Sequence, residues 1–206
     1  RSGRKWSNDK TLSDFKLNLD YGGSFDGVKS DPELNYGNEE TFRTRFNRFA
    51  ISSSYSIKAK QQGWWRAFTA TLSSSYEQNT SERTRFIQLQ RTTPAVYLME
   101  DGESDAYLLP YKYTGTQKVD GKPFNLFMKV NTTFSVPVKG WYNSLLLGAD
   151  WNMDKNYGEG QIFDPFKPVY PLTSLRKRAL KDIPANHTFA MYMEENIKLP
   201  IAKNRL

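Results

Sequence analysis

From residue 13 the chain alternates. Phe15, Leu17, Leu19 and Tyr21 take odd positions and Lys16, Asn18 and Asp20 even ones, which on an extended strand puts apolar and polar groups on opposite faces. Five further segments share this period of two. Phe49, Ile51, Tyr55 and Ile57 alternate with Arg48, Ser52, Ser54, Ser56 and Lys58, and Trp64, Phe68, Ala70, Leu72 and Tyr76 with Thr69, Thr71, Ser73, Ser75 and Glu77. Phe124, Leu126, Met128, Val130, Phe134 and Val136 face away from Asn125, Lys129, Asn131, Thr133 and Ser135. Leu145, Leu147, Ala149, Trp151 and Met153 oppose Ser144, Gly148, Asp150, Asn152 and Asp154, and Phe189, Met191, Met193 and Ile197 oppose Thr188, Ala190, Glu194, Asn196 and Lys198. The pattern predicts an all-β chain, an antiparallel up-and-down meander of about six long strands at roughly 13–25, 48–58, 64–77, 123–136, 141–154 and 187–198. One irregularity stands out: Phe42 and Phe46 are even while Phe49 and Ile51 are odd, which predicts a register shift near Asn47, a β-bulge.

Two architectures fit strands with one apolar and one polar face. A soluble sandwich buries the apolar face on a second sheet. A transmembrane barrel turns it to lipid and needs about 9–11 residues per tilted strand. The connections separate the two. Short links at 59–63 and 137–140 alternate with long loops at 26–41, 78–122 and 155–186, which in a meander gathers short turns on one rim and long loops on the other. Trp64, Trp65, Trp141 and Tyr142 adjoin the short links, and Tyr21, Tyr76 and Trp151 the opposite strand ends, where interfacial girdles occur on membrane barrels. The expectation is therefore a partial transmembrane β-barrel over 1–206 with no plug domain. The alternative is a soluble all-β sandwich that binds a carbohydrate or a surface.

Composition narrows the chemistry. The chain has 206 residues, including 13 Phe, 12 Tyr and 5 Trp, too aromatic for disorder, and no apolar run long enough for a spanning helix. With no cysteine and one histidine, His187, it lacks the material for disulfides, thiolate zinc sites, cysteine nucleophiles or paired imidazoles, so no catalytic residues, no metal and no cofactor are expected. The net charge of +7 is compatible with nucleic acid, anionic lipid or a solvated surface. Basic and aromatic residues interleave at 43–49, but no nucleic-acid-binding pattern accompanies them and no nucleic-acid partner is expected. Arg1, Ser2, Gly3, Arg4 and Lys5 open the chain without an apolar stretch behind them, so it is either a complete soluble protein or a segment of a longer one.

From Trp141 onward the chain resembles the barrel of TonB-dependent outer-membrane receptors of the Bacteroidetes type. The resemblance lies in SLLLGADWNMDKNYGEG at 144–160, FDPFKPVYP at 163–171 and DIPANHTFAMYMEENIKLPIAKNRL at 182–206, in that order and spacing. It implies a large barrel, of about 22 strands around a plug, importing a nutrient without making or breaking bonds: a siderophore or metal complex, a vitamin, a glycan or a peptide. The implied partners are outer-membrane lipid and lipopolysaccharide, the rest of the parent's barrel and plug, and an inner-membrane energy-coupling protein, in the outer membrane of a Gram-negative bacterium. The chain departs from that pattern in having no recognisable plug, energy-coupling box or terminal aromatic strand.

Candidate ligand-binding residues fall in the long loops. Loop 78–122 carries Glu100, Asp101, Glu103 and Asp105, without EF-hand spacing, followed by Tyr107, Tyr111 and Tyr113, whose rings and hydroxyls suit ligand stacking and hydrogen bonding. Loop 155–186 joins Tyr157, Phe163, Phe166 and Tyr170 to Arg176, Lys177, Arg178 and Lys181, fit for lipopolysaccharide head groups or an anionic ligand, or simply solvated charge. Tyr107, Tyr111, Tyr113, Tyr157, Phe166, Arg176 and Arg178 are the candidates. Lys16, Asp20, Arg48, Lys129, Asp150 and Glu194 are expected to face the lumen.

Overall fold

A computed structural model describes residues 2–31, 33–34, 38–61, 63–98, 104–138, 141–171, 175–176 and 179–198. Strands dominate: β1 Ser2–Ser7, β2 Thr11–Lys29, β3 Glu40–Ala59, β4 Trp65–Gln88, β5 Pro94–Leu98, β6 Ser104–Leu108, β7 Lys112–Gly121, β8 Pro123–Val138, β9 Trp141–Asn156, β10 Gly160–Phe163, β11 Leu175–Arg176 and β12 Asn186–Lys198. The main sheet runs β1-β2-β3-β4-β8-β9-β12, every pair antiparallel, with β7 also on β4 and β10 on β7. A small second sheet has the order β11-β5-β6. The chain is therefore an all-β antiparallel meander, as the alternation predicts.

Two of the strands are longer than their labels suggest. β4 pairs with β7 from Gln88↔Lys112 to Asn79↔Gly121 and with β8 from Tyr76↔Phe124 in unchanged register, so β7 and β8 form one strand broken only at Lys122. β10 continues β9 across a jog: three steps from Pro123 to Asp120 are matched by four from Asn156 to Gly160. Asn8 closes the first turn, its Oδ1 accepting the N–H groups of Lys10 and Thr11 at 3.0 and 2.6 Å. The strand ends at that turn, at Ala59 and Trp65, and at Val138 and Trp141 lie on one rim, and those at Lys29 and Glu40, at Gln88 and Lys112, and at Phe163 and Asn186 on the other.

Three expectations need correction. An additional strand, β1, precedes the first one read from the alternation. The stretches 26–41, 78–122 and 155–186 are not open loops: β2, β3 and β4 run on into them, and β5, β6, β7, β10 and β11 form within them. The strand signal there is weak because neither face borders a uniform medium. Nor is there a bulge at Asn47: β3 pairs without slippage with β2 and with β4 along its length. Phe42 and Phe46 change parity without a slip: the face that is apolar lower in the strand carries Arg43 and Arg45 here, and the phenylalanines lie on the opposite face. The one irregular step in that part of the sheet lies between Trp65 and Ala67.

Register unites the apolar positions of six strands on one face. Leu17, Ser53, Leu72, Met128, Trp151 and Phe189 form one row across the sheet, and Phe15, Tyr55, Ala70, Val130, Ala149 and Met191 the next. Nothing covers them among the described residues: Leu19 is 55% exposed, Phe189 62% and Met191 75%. The total accessible surface, 14952 Å², compares with about 9,900 Å² expected of a compact monomer of 23.8 kDa. The buried apolar side chains, Ile87, Ala95, Leu109, Tyr113, Phe163 and Val169, all belong to the long-loop end.

Aromatic residues bound the apolar face. Tyr21, Phe49, Tyr76 and Phe124 make one row toward the long loops. Toward the short turns, Trp64 stacks on Phe134 with centroids 5.4 Å apart, and Trp65 Nε1 donates to Thr132 Oγ1 at 3.1 Å. Between these limits β8 spans the eleven residues from Phe124 to Phe134, about 33 Å along the strand.

Candidate functional site

Short of the long-loop end, the opposite face is mostly polar, with Leu12, Phe127 and Leu146 among its apolar positions. Lys16, Asp20, Arg48, Lys129, Asp150 and Glu194 all point to it, since each alternates with apolar-face residues along its own strand and the ladders carry that alternation across the sheet. Their contacts are local: Arg48 Nε lies 3.3 Å from Glu77 Oε1, Lys16 Nζ 3.4 Å from Asp14 Oδ2, and Lys129 Nζ 5.1 Å from the ring centre of Tyr192. Tyr192 lies flat across Gly148, where a Cβ would collide with its ring. Asn125 Nδ2 donates to Asn152 Oδ1 and Asp154 Oδ1 at 2.8 and 2.7 Å, continuing the polar lining.

At the long-loop end this face is roofed by the segment that follows β10. Tyr113 is buried and its hydroxyl donates to Pro168 O at 2.9 Å. Gly115, next on that face, lets the backbone approach, because a Cβ would stand 2.7 Å from Lys167 O. Tyr107 donates to Pro165 O and packs its ring 4.8 Å from that of Phe166. Burial, reinforced by the neighbouring Tyr107, pushes the Tyr113 hydroxyl above its ordinary pKa, so it stays a donor.

Beside this roof a pocket of about 370 Å³ is lined by Val28, Ser30, Glu40, Phe42 and Arg83. Arg83 donates to Glu40 Oε1 at 2.9 Å and to the Tyr170 hydroxyl, while its Nε–H is buried with no acceptor. The Glu40 hydrogen bond, then that of Tyr170, raises the already high pKa of Arg83, keeping it cationic. Apolar walls of Val28 and Phe42 beside a cation with an open donor suit a small ligand carrying an oxygen acceptor and an apolar edge. No group of three or more potential metal ligands occurs among the described residues.

The candidates divide. Tyr107, Tyr113 and Phe166 come together, with Tyr107 and Tyr113 holding the roof. Tyr111 is exposed beside Thr92 Oγ1 at 3.4 Å. Tyr157 lies apart, edge-on to Phe124 with centroids 6.3 Å apart, beside the aromatic boundary. Arg176 lies in β11, whose backbone pairs in parallel with β5, and Asp105 in β6. Arg178, Lys177, Glu100, Asp101 and Glu103 lie outside the described residues.

Sequence reasoning missed Arg83 with Glu40, distant in the chain and joined only by the β3–β4 pairing. It also missed the β9–β10 jog. There Asp120 Oδ2 accepts the Glu159 N–H at 3.1 Å and meets Lys122 Nζ at 3.0 Å, and Asn156 Oδ1 accepts the N–H groups of Lys122 and Gly158. Burial alone would raise the Asp120 pKa; the Glu159 N–H and the Lys122 ammonium outweigh it, and the carboxyl is held below its ordinary value. Gly158 lies against Asp120 O with no room for a Cβ, and Gly160 has φ 72°. The glycine pair Gly158 and Gly160 was the available signal. Comparison with protein-family models, with curated proteins and with solved structures finds no match to this chain.

Proposed function

We propose that this chain is part of a membrane-spanning β-barrel of an outer-membrane receptor that captures a nutrient and lets it pass, with the apolar face toward lipid and the polar face toward an enclosed lumen. The observation that carries the reading is the uncovered apolar face, bounded on both sides by aromatic residues and about as tall as a bilayer's hydrocarbon core. An apolar groove of about 700 Å³ on that face, around Val130, Ala149 and Met191, fits acyl chains. β1 and β12 are the edges of the sheet among the described residues, and within hydrocarbon such edges require partner strands, supplied here by the remainder of the barrel. The β2, β3, β4 and β7 extensions then project beyond the membrane, and the Arg83 pocket meets the ligand at the lumen's long-loop mouth. The protein acts by recognition and passage, coupled through the parent receptor to an inner-membrane energy source, in keeping with the resemblance over 141–206.

Folding the complete barrel that contains this chain into phosphatidylcholine vesicles tests this. Expected are a retained β circular-dichroism signal, co-flotation with lipid and blue-shifted tryptophan emission from Trp64, Trp65 and Trp151. A monodisperse, detergent-free monomer with a cooperative unfolding transition and no vesicle partition would overturn it.

A further inference from the structure

Past Tyr21, Phe49, Tyr76 and Phe124 the outward face changes character within two rows. First come Gly23, Asn47 and Gln78, and then Phe25, Arg45, Thr80 and Asp120; the third row is Gly27, Arg43, Glu82, Lys118 and Ile162. Phe25, Arg43, Arg45, Glu82, Lys118 and Ile162 from these rows line a basin of about 570 Å³. Two nearby cations are already paired, Lys122 with Asp120 at 3.0 Å and Lys181 with Glu159 at 2.8 Å. Arg43, Arg45 and Lys118 have no ion-pair partner among the described residues, and all three are exposed. Glu82 is the opposing charge, seated between Arg43 and Lys118.

We propose that this outward basin binds the phosphate groups of an outer-leaflet glycolipid, with Arg43 and Arg45 converging on one phosphate and Lys118 flanking them. The proposal rests on the lipid-facing reading above and adds a specific headgroup site to it. Height is the first argument. Arg45 lies four residues beyond Phe49, about 13 Å along the strand and about 10 Å above the aromatic row, at the level of the headgroup layer, and long basic side chains bend back toward it. Composition is the second. Phe25, 67% exposed and directly opposite Arg45, adds an aromatic ring at the same height, the pairing of ring and cation that suits a phosphorylated sugar. Two guanidiniums give the forked donors that phosphate oxygens accept.

The test uses the complete barrel that contains this chain, in phosphatidylcholine vesicles alone, with bis-phosphorylated lipid A, or with its dephosphorylated form. Arg43→Gln/Arg45→Gln should insert like the parent chain, because neither side chain has a partner to lose, yet retain about tenfold less lipid A after detergent extraction. Glu82→Gln should retain more than the parent. Neither variant should change retention of the dephosphorylated lipid, and excess inorganic phosphate should not displace lipid A. Equal retention by the parent and the double variant overturns the site, as does full displacement by inorganic phosphate, which would identify a soluble anion as the ligand. Failure of every form to insert into plain phosphatidylcholine vesicles overturns the lipid-facing reading instead.

Discussion

The lower and upper halves of the same strands solve the burial problem in opposite ways. Below the row of Tyr21, Phe49, Tyr76 and Phe124, apolar side chains such as Leu19, Met128 and Met191 are exposed, and no protein layer covers them among the described residues. Above it, the same face carries Arg43, Arg45 and Lys118, while on the other face Ile87 and Tyr113 join Ala95 and Leu109 in a small core beside the 164–169 segment. The contrast teaches that one alternating pattern need not imply one medium. The lower half leaves its apolar face uncovered among the described residues; the upper half buries apolar side chains on one face and exposes charge on the other.

The largest expected effect attacks the upper half alone. Tyr113→Ala removes a buried ring and the donor to Pro168 O, at a cost of about 3–5 kcal/mol. Hydrogen exchange should accelerate in β7 and the 164–171 segment while β2 and β3 below the aromatic row keep their protection; uniform loss would erase the distinction between the halves. Met128→Arg attacks only the lower half. In a bilayer an arginine at this mid-face position costs about 2–4 kcal/mol, measured by urea titration of vesicle-folded chain. Asn131→Arg on the polar face should change stability by less than about 1 kcal/mol in the same titration. Equal effects of the two would refute the orientation of the sheet.

The boundary between the halves gives the smaller effects. Gly158→Ala forces a Cβ against Asp120 O and should cost about 1–3 kcal/mol, read as faster exchange at the β9–β10 jog with little change in β12. Asp120 supplies a pH signature. Its folded pKa lies below the unfolded one, so its contribution is complete above about pH 4, the unfolded value, and is lost as pH falls through the folded pKa. The Glu159 amide should therefore lose protection in acid beyond the intrinsic pH dependence of exchange, and Asp120→Asn should remove that extra loss while weakening the jog by about 1 kcal/mol at neutral pH.

Much of this architecture was legible from alternation, because a strand whose two faces meet two different media must segregate its side chains. Positions such as Phe15, Leu72 and Met153, and the polar-face set from Lys16 to Glu194, could be assigned to their faces without coordinates. What the pattern obscured lay where the media change. Phe42 and Phe46 looked like a slip in register, yet the ladder is continuous and it is the residue types on the two faces that change. β7 and β10 were hidden in a stretch rich in Tyr, Gly and charge, and the candidate tyrosines there turned out to divide between a roof and an exposed rim.

The sequence by itself determined the meander, the sides of its strands and the placement of short and long connections, since these follow from a local period of two and from chain length between strands. Only the tertiary structure decided that Arg83 meets Glu40 and Tyr170, that Asp120 braces a jog, and that Arg43, Arg45 and Lys118 share one outward basin. Those associations join residues far apart in the chain through strand register, and although alternation fixes which face a residue takes, which residues meet across the ladder follows from turn geometry and the alignment of whole strands.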